Sequence, residues 1–168
     1  MSAATTSPAR PPVTVRSTGH TGITVSDLDR SIRFYRELLG CEVSTPVRAE
    51  GPFFETITGV PDCQIDIAFA RVPGHVIELL CFRNPPGRTS TLRPCDPGFM
   101  HVCLKVADLD KVVALVRSAG FQAVGAVQQA QGGPVDGLKV VYVRDPDGVV
   151  LELIEEPPGV VLEEVYFK

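Results

Sequence analysis

The sequence predicts an α+β fold built of two βαβββ modules forming a metal-binding cleft. Three observations predict it. The chain repeats itself, with His20-Thr-Gly-Ile-Thr-Val-Ser-Asp-Leu-Asp-Arg30 aligning without a gap on His101-Val-Cys-Leu-Lys-Val-Ala-Asp-Leu-Asp-Lys111, 81 positions on. A second pair of segments matches, Val76-Ile-Glu-Leu-Leu80 and Val150-Leu-Glu-Leu-Ile154, each behind a hairpin turn. Each repeat carries one histidine where its first strand begins and one glutamate in the middle of its last strand.

Residues 1–16 lack the apolar core of a signal peptide and read as a flexible tail. The first module is expected over 17–83. Its first strand begins at His20, and a helix from about Leu28 to Leu39 has Ile32, Tyr35, Leu38 and Leu39 at helical spacing. Asp27 is the expected N-cap and Gly40 the expected stop. A strand start at Cys41–Val43 follows, then strands at Gln64–Arg71 and Val76–Leu80 around the Val72-Pro-Gly-His75 turn. The Gly51–Asp62 stretch between them reads as a loop with a hydrophobic plug, Phe53 and Phe54, near a cleft mouth.

Residues 84–98, rich in Pro, Gly, Arg and Thr, read as a linker. The second module is expected over 99–156. Its helix runs from about Leu109 to Ala119 between the Asp108 cap and Gly120, and a strand starts at Phe121–Val124. Strands at Lys139–Arg144 and Val150–Ile154 flank the Asp145-Pro-Asp-Gly148 turn. The glycine-rich loop Gln131–Gly137 lacks a phosphate-loop pattern and reads as a lid or turn. Residues 157–168 are a C-terminal extension. Neither half buries a core alone, so the two sheets should pack side by side or close across a second chain.

Sixteen basic against twenty acidic residues leave a net charge of −4, which offers no global attraction to nucleic acid or to an anionic membrane. No apolar run reaches the ~18 residues of a membrane span. The five cysteines form no C-x-x-C pair, which argues against a zinc ribbon or redox dithiol and for reduced thiols in the cytoplasm.

Alternation places His20 with Gly22 and Thr24, Glu78 with Val76 and Leu80, His101 with Cys103, and Glu152 with Val150 and Ile154. A carboxylate among strand hydrophobes needs water, a partner or a metal. Occurring twice, in equivalent strands, Glu78 and Glu152 with His20 and His101 suit one divalent first-row metal ion, and Zn, Fe, Co, Ni and Mn remain open. His75, in the turn before Glu78, is out of phase with that face and reads as an exposed turn residue.

The segments GHTGITVSDLDRSIRFYRELLG, GHVIELL, GFMHVCLKVADLD and VYVRDPDGVVLELIE resemble the vicinal oxygen chelate superfamily, the glyoxalase and bleomycin-resistance fold, over about residues 18–156. The resemblance implies the same metal ligands, His20, Glu78, His101 and Glu152. It further implies an enzyme, with a small-molecule substrate and a homodimeric assembly. Carrying Glu78 where the family's extradiol dioxygenases lack a ligand points away from dioxygenation. The look of the chain resembles the epimerases of that superfamily, both the 2-epi-5-epi-valiolone and the methylmalonyl-CoA types. It implies an isomerase that removes a proton alpha to a carbonyl through a metal-stabilised enolate or enediolate, on a cyclitol ketone such as 2-epi-5-epi-valiolone, within secondary metabolism. The Asp66-Ile-Ala-Phe-Ala segment resembles the strand that carries a catalytic glutamate in methylmalonyl-CoA epimerase, so Asp66 and Glu152 are the expected proton-transfer pair; a solvent-facing Asp66 is the alternative. Two other functions stay open: a glyoxalase I-type lactoylglutathione lyase, and a non-enzymatic drug-binding resistance protein.

Overall fold

The computed structural model describes residues 15–88 and 92–167. Most of the expected tail, residues 1–14, and the middle of the expected linker lie outside the described residues. The first half runs β1 (Thr21–Thr24), α1 (Leu28–Arg33), β2 (Glu42–Val43), β3 (Val47–Glu50), α2 (Pro52–Thr58), β4 (Gln64–Val72) and β5 (His75–Asn84). The second runs β6 (His101–Lys105), α3 (Leu109–Ser118), β7 (Gln128–Gln129), β8 (Lys139–Arg144), β9 (Val150–Glu155) and α4 (Leu162–Tyr166).

The two sheets repeat one topology, β1-β5-β4-β2 and β6-β9-β8-β7, with β3 added beside β4 in the first. In each, the first strand lies parallel to the last and the rest is antiparallel. Both caps are in place: the Asp27 carboxylate accepts from the Arg30 amide at 3.0 Å, and that of Asp108 from the Lys111 amide at 2.9 Å. Gly40 and Gly120 then take positive φ and end the two helices.

Three local expectations change. The first helix is not uniform, because after Arg33 it widens into a π-helical turn at Phe34–Leu38. Phe121–Val124 forms one isolated bridge, Ala123 to Val143, instead of a strand; Phe121 turns inward and meets the Phe34 ring edge-on at 4.9 Å. The Gly51–Asp62 stretch contains a helix, α2, started by Pro52 and closed by left-handed Gly59. Its Phe54 packs on Ala49, Cys63, Ile65 and Ile67 as the expected plug, while Phe53 and Ile57 stay exposed.

One core serves both halves. Ile23, Phe34, Tyr35, Ala68, Ile77 and Leu79 join Leu109, Val113, Val116, Val141, Leu151 and Leu153 in a single cluster. The Asp145–Gly148 turn fastens the halves together. Asp145 is buried and accepts the Tyr35 hydroxyl at 3.3 Å. Asp147 accepts the Ser26 amide at 3.1 Å and pairs with Arg30 at 3.0 Å. Among the described residues no helix is long and apolar enough to cross a membrane.

Candidate functional site

The pleat sorts each sheet into two faces. Ile77, Leu79 and Cys81 of β5 point into the shared core, so Val76, Glu78 and Leu80 occupy the opposite face. In the second sheet Leu151 and Leu153 point into that core and leave Glu152 on the opposite face. Parallel pairing sets Gly22 beside Glu78 and Cys103 beside Glu152. The histidine two residues before each therefore stands over a carboxylate. His20 Nε2 lies 3.0 Å from Glu78 Oε2, and His101 Nε2 lies 3.1 Å from Glu152 Oε2. Both carboxylates are largely sheltered while both imidazoles reach solvent.

The four residues thus form two matching pairs, one per half. The structure does not gather them into one set within the chain: among the described residues no three of His, Cys, Asp and Glu come close enough to hold one ion. The halves join through the faces opposite those that carry the pairs. Each pair still fits half of a divalent-metal site. Its donors are an imidazole nitrogen and a carboxylate oxygen, and their 3.0 and 3.1 Å separations match the ~3 Å between adjacent donors at right angles on an ion held at ~2.1 Å.

Asp66 is not part of this arrangement. It pairs with Cys81 across β4 and β5, and Cys81 belongs to the core face. Asp66 is therefore on the opposite side of the sheet from Glu78, which pairs with Phe69. Arg48 and Arg83 both bind its carboxylate, Arg83 at 2.7 Å, and their hydrogen bonds hold it below the usual carboxylate range. A carboxylate so held is a poor proton acceptor. The sequence paired Asp66 with Glu152 for proton transfer; strand parity sets Asp66 on the opposite face of its sheet from Glu78. Its lowered pKa adds stability above the unfolded value of 3.8, and that contribution is lost as pH falls below it. Asp66→Asn is expected to leave turnover unchanged and to flatten the acid limb of a thermal-stability profile. His75 sits where β5 starts, on the core side of the sheet, with Nε2 2.8 Å from the Thr21 hydroxyl.

Of two neighbours of Glu152, Tyr142 escapes the sequence reading, while alternation places Cys103 on the His101 face. Tyr142 lies directly across β8 and β9 from Glu152, with its ring 5.3 Å from that of His101. Cys103 replaces the glycine found at the equivalent position, Gly22. Burial around its sulfur, reinforced by the Glu152 charge, pushes the thiol up to about 12, so it stays protonated. The 81-residue offset already aligned Gly22 with Cys103, and the β8 pleat could have placed Tyr142.

Residues 17–153 match the Glyoxalase/Bleomycin resistance protein/Dioxygenase superfamily. The chain belongs to this superfamily. Within the glyoxalase superfamily it is similar to a 2-epi-5-epi-valiolone epimerase from an Actinomyces species, 32% identical over 132 residues that span 76% of this chain and 72% of the relative. It is 29% identical over 125 residues to an ethylmalonyl-CoA/methylmalonyl-CoA epimerase from Cereibacter sphaeroides, covering 69% of this chain and 82% of that one. A glyoxalase family protein from Bacillus cereus superposes with a TM-score of 0.78 at 28% identity, over 88% of this chain and 99% of its own. The trypanothione-dependent glyoxalase I of Leishmania major superposes at 0.62 with 25% identity, over 90% and 94%.

Proposed function

We propose that this protein is a metal-dependent epimerase acting alpha to a carbonyl, with a small ketone as substrate. The observation that carries the reading is the duplicated His–Glu pair, set on equivalent strands of the two halves with nearly identical spacing. The printed activities of two relatives support the same reaction class. His20, Glu78, His101 and Glu152 would hold one divalent ion, and the pairs meet when the first half of one copy faces the second half of another. A homodimer is then a condition of activity.

A divalent ion bound there would polarise the substrate carbonyl and acidify the adjacent C–H. The rest falls to the chain. Epimerisation requires a proton to leave one face of the carbon and return to the other. Glu152 accepts the proton. Glu78, its counterpart from the other half, takes the second place first given to Asp66. The surrounding strand hydrophobes Val76, Leu80, Val150 and Ile154 limit water around the exposed carbanion. The Actinomyces relative points to a cyclitol ketone such as 2-epi-5-epi-valiolone as substrate, and so to a place in secondary metabolism.

The test is solvent exchange. Incubated with a divalent salt and the cyclitol ketone in deuterated water, the protein is expected to place deuterium at the epimerised carbon. Glu152→Gln should slow this by at least about 100-fold. Elemental analysis of protein purified without chelators should find about one ion per site. No exchange and no bound metal would overturn the proposal, and turnover of methylglyoxal with glutathione would move it to a glyoxalase I lyase.

A further inference from the structure

Each carboxylate of the two pairs sits at the centre of a three-residue row that crosses its sheet on one face. In the first half the row is Gly22, Glu78 and Phe69, running from β1 through β5 to β4. In the second it is Cys103, Glu152 and Tyr142, running from β6 through β9 to β8. The carboxylates match and their flanks do not. One row has no side chain at Gly22 and a plain hydrocarbon ring at Phe69. The other carries a thiol and a phenol.

Gly22 is not a requirement of the backbone. It lies within a strand, outside the left-handed region that Gly40 and Gly74 occupy, and the equivalent strand position carries Cys103. Glycine inside a strand weakens it and packs against nothing, so what it supplies is room for something to approach closely. The room is well defined. A Cβ at Gly22 would stand 3.6 Å from Glu78 Oε2 and 3.4 Å from Leu80 Cδ1. Those are ordinary contacts, so a methyl group fits the fold and takes up only the space beside the carboxylate. On the other flank of Glu78, Phe69 keeps 37% of its surface exposed. A hydrocarbon ring left open beside a sheltered carboxylate is a platform for carbon.

The second row suits oxygen. Tyr142 starts across the sheet from Glu152, and its ring comes within 5.3 Å of the His101 ring, so the side chain leans toward the His–Glu pair. Its hydroxyl both donates and accepts hydrogen bonds, which Phe69 at the equivalent place cannot do. A ligand held by two matching His–Glu pairs alone could lie either way round. Unequal rows remove that freedom.

We infer that the two rows orient the ligand of the proposed metal site: Gly22 and Phe69 receive its carbon frame, and Tyr142 hydrogen-bonds one of its oxygens. Gly22 then sets how much carbon is admitted beside Glu78, and Tyr142 sets which way round the ligand lies. The inference rests on the metal-site reading, so manganese uptake is measured first, through the loss of the free-ion paramagnetic resonance signal. Gly22→Ala, Gly22→Val, Cys103→Ala and Tyr142→Phe should each keep the native manganese affinity and a single cooperative melt.

The manganese-loaded proteins are then titrated with benzohydroxamate, whose ring supplies a carbon frame, and with acetohydroxamate, whose methyl group is small. Gly22→Ala and Gly22→Val should weaken benzohydroxamate in steps, by roughly tenfold for valine, and acetohydroxamate far less. Cys103→Ala should change neither probe. Tyr142→Phe should weaken both by about fivefold. Native protein that takes up no manganese overturns the metal-site reading and this inference with it. Manganese uptake without hydroxamate binding overturns the inference alone, as does equal benzohydroxamate affinity in native protein and Gly22→Val. A change in Cys103→Ala as large as that in Gly22→Val overturns it too, because the rows would then be interchangeable. Unchanged affinity for both probes in Tyr142→Phe would overturn the oxygen contact.

Discussion

His20→Ala and His101→Ala are each expected to abolish solvent-deuterium exchange, and activity is expected to return when the two variants are co-expressed. The reason is geometric. Within one chain the His20–Glu78 and His101–Glu152 pairs lie on faces that do not meet, and no third donor joins either pair among the described residues. A site made from the first half of one copy and the second half of another has a simple genetic signature. In a mixed dimer one site loses both histidines and the other keeps all four donors. Random assortment then restores about a quarter of the native sites, up from none in either variant alone. Two affinity tags isolate the mixed dimer and raise this to about one half. A mixed dimer as inactive as its parents would show that each site is built within one chain. The same experiment with Glu78→Gln and Glu152→Gln tests the two carboxylates, which reach the site from different halves.

A second large effect concerns the joint between the halves. The Asp145 carboxylate is buried, accepts the amides of Asp147 and Val149 at 2.9 Å each, and receives the Tyr35 hydroxyl. Burial outweighs these bonds and raises its pKa from 3.8 to about 6. The sign runs opposite to the usual aspartate. Between about pH 6 and 4 the folded chain holds a proton that the unfolded chain has released, so acidification stabilises the fold through this group. The difference is worth about 3 kcal/mol across that window. Above pH 6 the buried charge is a standing cost. Asp145→Asn keeps an acceptor for the two amides and removes the charge. Urea unfolding at pH 7.5 and pH 4.5 should show the native protein gaining on Asp145→Asn as pH falls. Parallel pH dependence in the two proteins would contradict the assignment. Asp145→Ala should do more harm, about 2–4 kcal/mol at pH 4.5, by orphaning two amides and a buried hydroxyl.

The turn that carries Asp145 shows where local reading stops. Asp-Pro-Asp-Gly reads correctly as a hairpin between two strands. Nothing in those four residues says that the first aspartate will accept a tyrosine hydroxyl from the π-helical turn after α1, or that the second will clasp Ser26 and Arg30. Asp66 makes the same point from the other side. Its alternation with Ile65 and Ile67 is legible, but alternation sorts residues into two faces without saying which face is the site. Only the pairing of Asp66 with Cys81, a core residue, decides that.

What the sequence determined by itself was the duplicated frame: two strand-first modules, their aspartate caps and glycine stops, and a His–Glu pair in each. These follow from periodicities and short-range bonds that reach no further than a helical turn or a pleat. The tertiary structure alone decided that the two pairs stand apart within a chain and that Asp66 faces two arginines. Those outcomes depend on which apolar face finds which partner, and burial carries no address in the sequence.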